Sequence, residues 1–294
     1  MIKGGKVLKR ESQFARRIAI FKKNRLAVAG FFIAVFLILI SILAPLIAPY
    51  DPEEPFLEKK LQPGFWAGNW EHPLGTDNLG RDLLSRIIYG GAISLKVGYI
   101  VVLITAAVGI LVGLVSAYFG KTLDIIIMRV VDIFLAFPPL LLALAIAAAL
   151  GTGIEKAMLA IAVVYIPSMA RIVRGSVLSV KTLQYVEASR ALAGGNFWII
   201  TRHILPNIIP SALVYLTLLL ADAILYTAAL GFLGIGIEPS TPEWGAMLSG
   251  GRDFLLVGQW WITVFPGVMI ILAVFSFNVL GDGLREAFDT KLMR

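Results

Sequence analysis

The chain has no cysteine. That excludes a disulfide framework, a thiolate metal site and a cysteine nucleophile. Histidine is almost as scarce. His72 and His203 are the only two, too few and too far apart for a histidine metal cluster. Charge is also sparse, at 15% of residues, while 58% are hydrophobic and mean hydropathy is +0.84. A soluble globular domain does not have this composition. No GxxxxGK[ST] loop is present, so the chain has no P-loop of its own for ATP, and neither a GxSxG elbow nor an HExxH pair occurs. These absences leave no catalytic residue and no metal ligand set to nominate.

Long apolar runs are what the chain has instead. They cover 26–50, 97–120, 133–154, 203–221 and 254–281, each near or above the roughly 20 residues that a spanning helix needs. A shorter run, 157–170, lies between Lys156 and Arg171, whose stems can snorkel to the interfaces. The expectation is an all-α membrane protein of six transmembrane helices, with the fourth the shortest. After the first helix, the bundle is expected at about 92–120, 123–150, 153–173, 208–233 and 260–284.

The net charge of +7 is explained by topology rather than by nucleic acid. Lys3, Lys6, Lys9, Arg10, Arg16, Arg17, Lys22, Lys23 and Arg25 precede the first run, against the single acid Glu11. The positive-inside rule places that tail in the cytoplasm, and six crossings return the C-terminus to the same side. The tail lacks the interleaved aromatics of an RNA-binding segment. The first run is too long for a secretory signal and reads as a retained anchor. Three parts follow: a basic cytoplasmic tail (1–25), a first span with an acidic extracytoplasmic segment (26–90), and a five-helix core (91–294) with a loop at about 174–206.

Ionisable groups at membrane depth come next. Arg129 and Asp132 are three apart on one expected helix and can pair. Asp222 sits inside an apolar run, where a lone acid costs roughly 2.5–3.5 kcal/mol, so it should face protein or water. It is either a cavity-lining contact for a substrate amine or a buried acid bonded to a neighbouring helix. Gly109 and Gly113 form a GxxxG, expected to serve packing within the subunit. Asp77, Arg81 and Asp82 are expected to face outward beside a short surface helix carrying Leu83, Leu84, Ile87 and Ile88. The stretch 234–246, with Glu238, Pro242 and Trp244, is either an outer gate and partner seat or a loop anchored at the interface by Trp244.

The 185–210 stretch YVEASRALAGGNFWIITRHILPNIIP is polar, basic and long for a loop between spans. A helix, a glycine break and a second helix across the cytoplasmic face would make a rigid coupling piece. Glu187, Ala188, Ser189, the glycine shortly after, and Leu205-Pro206 resemble the EAA motif of ABC importer permeases. HPLGTDNLGRDLLSRIIYG (72–90), IMRVVDIFLAFP (127–138), RHILPN (202–207), ALGFLGIGIEPSTPEWGAML (229–248) and FNVLGDGLREAFD (277–289) resemble one branch of it, the second permease subunit of dipeptide, oligopeptide, nickel and glutathione importers.

The resemblance implies a type I importer permease fold with a cytoplasmic coupling helix. In it Glu187, Ala188, Ser189, Arg190, Ala191, Gly194, Gly195, Arg202, His203 and Pro206 engage the ATPase. It implies a second homologous permease, two ATP-binding cassette subunits that hold ATP and magnesium, an extracytoplasmic binding protein and a bacterial or archaeal cytoplasmic membrane. The chain itself would bind no cofactor. Its cargo would be di- or oligopeptides, with nickel chelates or glutathione as alternatives. The family glycine six residues after the motif glutamate is Ala193 here, so the bend is expected on Gly194 or Gly195. An ATP-independent secondary transporter or a membrane scaffold would share the composition but have no use for this loop.

Overall fold

A computed structural model describes residues 13–238 and 240–288. The tail before Gln13, Pro239, and Lys291 and Arg294 at the C-terminal end lie outside them. The helices are α1 (Gln13–Lys23), α2 (Arg25–Ile42), α3 (Ala44–Ile47), α4 (Leu83–Phe119), α5 (Lys121–Leu135), α6 (Pro139–Leu150), α7 (Ile154–Lys181), α8 (Gln184–Ala191), α9 (Asn196–Ile199), α10 (Leu205–Phe232), α11 (Trp244–Leu255) and α12 (Trp261–Phe288). Among the described residues the only β pairing is an isolated Thr76–Asp82 bridge.

Side-chain caps fix three helix starts. Asn24 Oδ1 accepts from the Ala27 amide at 3.1 Å and opens α2. Asp82 Oδ2 accepts from the Ser85 amide at 2.8 Å and opens α4. Glu243 Oε2 accepts from the Ala246 amide at 2.9 Å and opens α11.

Five helical stretches are long and apolar enough to cross a membrane: α2, α4, α7, the continuous 196–232 stretch and α12. α5 and α6 also pass that test as a pair, bent by 91° at the break between them. Counted as one span, the pair makes six. Two expectations on length are corrected. α7, expected to be the shortest, has 28 residues and is the most buried of the spans. The helix expected at about 123–150 breaks at Ala136–Phe137–Pro138, where proline pushes the preceding residue out of the helical region.

Two cores hold the bundle. Met158, Ile161, Tyr165 and Met169 of α7 meet α4, α10 and the 184–204 segment in one, and Leu37, Leu83, Ile224, Trp244, Trp261 and Phe277 join α2, α4, α10, α11 and α12 in the other. The α4–α7 contact runs on Gly109 and Gly113. A Cβ on Gly109 would stand 2.7 Å from Met169, and one on Gly113 2.4 Å from the Ala170 carbonyl. The GxxxG therefore packs inside this chain, as expected.

Candidate functional site

Two sites carry the sequence-nominated residues, one at each end of the bundle. At one end, α8, α9 and a π-helical turn (Ile200–Ile204) lead from α7 into α10. Val186, Ser189, Ile199 and Ile204 are buried and hold this segment down. Glu187, Ala188, Arg190, Ala191, Gly195 and Arg202 are exposed. The Tyr118 hydroxyl at the end of α4 donates to Asn196 Oδ1 at 2.8 Å, and the Arg190 guanidinium lies 6.0 Å from the Tyr118 ring. Lys181 Nζ donates to the Ala117 carbonyl at 2.6 Å. The His203 ring stands 4.8 Å from Trp198 and 5.6 Å from Tyr185, so it acts as an internal post. Asn207 Nδ2 donates to the Tyr185 hydroxyl at 3.1 Å, closing the segment on itself.

The second helix of the segment is not free-standing. The Leu205 amide reaches back to the Ile200 carbonyl, so α9, the π turn and α10 form one continuous rod. Widening by one residue accommodates Pro206, whose missing N–H and ring would clash with a regular turn.

The bend is not on the glycines. Ala193 itself takes the left-handed conformation, φ +57°. The Ala193 amide bonds the Arg190 carbonyl at 3.1 Å and the Gly194 amide bonds the Ser189 carbonyl at 3.0 Å, a closed helix C-terminus. Gly195 has φ −64° and ψ 149°, ordinary extended backbone. Sequence reasoning also passed over the largest exposed apolar side chains of the segment. Leu192 is 85% exposed and Phe197 81%, with Trp198 half-exposed beside them. Their apolarity within a polar loop was the available signal.

At the other end, a dense polar plug ties the 43–82 segment to α4 and α11. Asp77, Arg81 and Asp82, expected to face outward, are buried. Asp77 Oδ1 accepts from the amides of Leu79 and Arg81 at 2.8 and 3.0 Å, and Arg81 Nε donates to Asp77 Oδ2 at 2.6 Å. His72 Nδ1 lies 2.9 Å from Asp82 Oδ1. Asp82 Oδ2 also accepts from the Ser85 hydroxyl at 2.7 Å, and that hydroxyl accepts from the Tyr50 amide at 3.0 Å. The sequence reading missed Arg86. It is fully buried, donates to the Pro52 carbonyl at 2.8 Å and reaches the Ser240 carbonyl at 3.4 Å.

Trp244, read either as part of an outer gate and partner seat or as an interface anchor, is 1% exposed, which removes the second reading. Its indole N–H donates to the Ile87 carbonyl at 3.0 Å. Pro242 is buried next to it, and Glu238 is exposed. Glu243, also missed, is wholly buried and accepts from the Ser94 hydroxyl at 3.1 Å. Burial pushes its carboxyl above the usual range, opposed by bonds from the Gly245 and Ala246 amides and Ser94.

Among the in-membrane groups, Asp132 does not pair with Arg129. It pairs with Arg171 on α7, and Arg129 is exposed. Asp124 takes a two-pronged bond from Arg174, Nε at 2.7 Å and Nη2 at 2.6 Å. Asp222 is exposed on α10. One face of α10, Ser211, Val214, Tyr215 and Leu218, lines an open groove of about 770 Å3, together with Arg17, Arg285 and Phe288. Asp222 continues that face by one further turn.

Residues 109–294 match the family model described as the binding-protein-dependent transport system inner membrane component. Residues 12–63 match the N-terminal transmembrane domain of oligopeptide transport permease C. This chain belongs to the binding-protein-dependent ABC importer permeases. The dipeptide transport system permease protein DppC of Haemophilus influenzae is 46% identical over 92% of both chains. The di/tripeptide permease protein DppC of Pseudomonas aeruginosa is 43% identical over 92% of this chain and 90% of its own. The glutathione transport system permease protein GsiD of Escherichia coli is 40% identical over 95% and 90%. A solved inward-facing MetNI methionine ABC transporter chain has the same fold, with TM-score 0.58 at 21% identity, covering 70% of this chain and 98% of that one. The permease is therefore a multi-pass inner-membrane subunit without catalytic chemistry of its own.

Proposed function

We propose that this permease forms half of the translocation path of a peptide importer and receives its drive through α8, α9 and the π turn. The observation that carries this is the exposure of three large apolar side chains, Leu192, Phe197 and Trp198, on the same short segment as exposed Glu187 and Arg190, with Val186, Ser189 and Ile199 buried beneath. Exposed apolar and charged side chains on one short segment suit docking to a soluble subunit. That subunit is a cytoplasmic ATPase, present twice, with a second homologous permease completing the path. Both termini are cytoplasmic in a bacterial or archaeal inner membrane. ATP binding closes the ATPases, and the segment passes the movement into the continuous 196–232 rod. The bundle then switches as rigid bodies. The buried plug at the opposite end is the outer gate, and exposed Glu238 is the contact left for an extracytoplasmic binding protein.

The cargo is a di- or oligopeptide. Relatives named for dipeptide, di/tripeptide and glutathione transport all handle short peptides. Asp222, one turn beyond the groove-lining face of α10, supplies an anion for a peptide's terminal ammonium. Arg129 and Asp132 line neither this groove nor the apolar one beside α5.

Glu187→Lys and Leu192→Asp in the full complex test the drive. ATPase co-purification and cargo-stimulated hydrolysis should fall roughly tenfold or more, as for a central interface residue, with normal membrane insertion. Normal association in both variants would return the segment to a plain surface helix. Asp222→Asn tests the path: uptake of cargo with a free ammonium should drop while ATPase association holds. Undiminished uptake would remove Asp222 from the path.

A further inference from the structure

We propose that the groove between α1, α2 and α12 binds an anionic phospholipid of the cytoplasmic leaflet. The groove encloses about 670 Å3. Its walls are apolar, with Phe21, Val28, Phe32, Leu280 and Leu284 among them, and no acid lines it. Two cations do, Arg17 and Lys22, both from α1. An apolar slot with a cationic end matches the layout of a lipid, acyl carbons at one end and phosphate at the other.

Arg17 is the residue that points to a ligand. Its guanidinium carbon lies 4.9 Å from the centre of the Phe288 ring, which fixes its plane. Its Nε is buried and has no hydrogen-bond partner. A buried guanidinium N–H without an acceptor is unfavourable, and a phosphate oxygen is the acceptor whose geometry fits the planar fork. The carboxylate Glu286 does not bond Arg17; it accepts from Asn24 Nδ2 at 3.0 Å. Asp282 is exposed and outside the lining. Arg16, Lys23 and Arg25 are exposed nearby, so on α1 and at the start of α2 the described charges are all cationic. Two facing cations favour a lipid with net negative charge over a zwitterionic one. Arg17 also lines the α10 groove, so the lipid headgroup would border the proposed translocation path.

The leaflet assignment rests on the orientation proposed above; the binding itself does not. Topology reporters on the wrong sides would move the lipid to the other leaflet and leave retention unchanged.

The test is native mass spectrometry of the full-length chain released from nanodiscs of mixed phosphatidylglycerol and phosphatidylethanolamine. The expected result is retained phosphatidylglycerol. Arg17→Ala and Lys22→Ala should each lower it roughly five-fold. Lys23→Ala removes a cation outside the slot and should leave it nearly unchanged. Val28→Trp fills the slot with both cations intact and should also lower retention. Equal loss in Lys23→Ala would mean diffuse attraction and overturn the site. So would equal retention of phosphatidylethanolamine by the unmodified chain, a comparison that needs no variant to fold.

Discussion

Glu243 is a buried carboxylate with no cation beside it; its partners are Ser94 and two backbone amides. It caps α11 and at the same time fills the space over Gly231, where a Cβ would stand 2.5 Å from its Oε2. Because burial raises its carboxyl, the folded state holds the proton more tightly than the unfolded chain does. The resulting stability is present below the ordinary glutamate value, about pH 4, and is lost as pH rises through the raised one. Glu243→Gln keeps the acceptor for the Ala246 amide and cannot ionise. Its thermal midpoint should equal or exceed that of the unmodified chain at neutral pH and vary less with pH. Glu243→Ala loses the cap and should cost about 1 kcal/mol or more. A glutamine variant as damaged as the alanine one would mean that the charge is required. Nothing in the sequence pointed to this residue, since glutamate is not a preferred cap and Glu238 was the acid nominated nearby. Buried Asp77 and Asp82 were misjudged for the same reason: a sequence shows which groups are charged but not which are matched.

Helices were legible where one apolar run made one helix. They were not where two signals overlapped. A short surface helix carrying Leu83 to Ile88 and a span from about 92 were expected as two elements, yet α4 runs straight through Gly90 and Gly91. Their absent side chains make room for Trp244: a Cβ on Gly90 would stand 2.8 Å from its ring and one on Gly91 3.1 Å. The same confusion of glycine's roles displaced the coupling bend. Left-handed backbone disfavours an L residue by roughly 1–2 kcal/mol. Ala193→Gly should therefore stabilise the end of α8, seen as slower amide exchange over 184–195, with ATPase association kept. Gly195→Ala should be silent, because no atom lies within 4 Å of its Cβ position. Gly194→Val should disrupt the turn, because its Cβ would meet the Ser189 carbonyl at 2.7 Å. Faster exchange in Ala193→Gly would place the bend elsewhere.

For the whole molecule, Asn24 at the start of α2 and Glu286 near the end of α12 hydrogen-bond directly. Those two ends therefore share one side of the membrane, as an even number of crossings requires. Reporter fusions after Lys60 and after Leu183 should report opposite sides. Signals from one side would sink the six-span arrangement and with it the cytoplasmic placement of α8.

α4 joins the two sites without a break. Its 37 residues make a rod of about 55 Å, well beyond the thickness of a bilayer core. Asp82 pins its first turn into the buried polar plug, and Tyr118 in its last turn holds Asn196 of α9 at the other end. A rod held at both ends is a lever arm. It cannot shorten, so tilting its lower end displaces its upper end in the same instant. The two faces of the permease then keep time mechanically, with no relay of side chains needed between them.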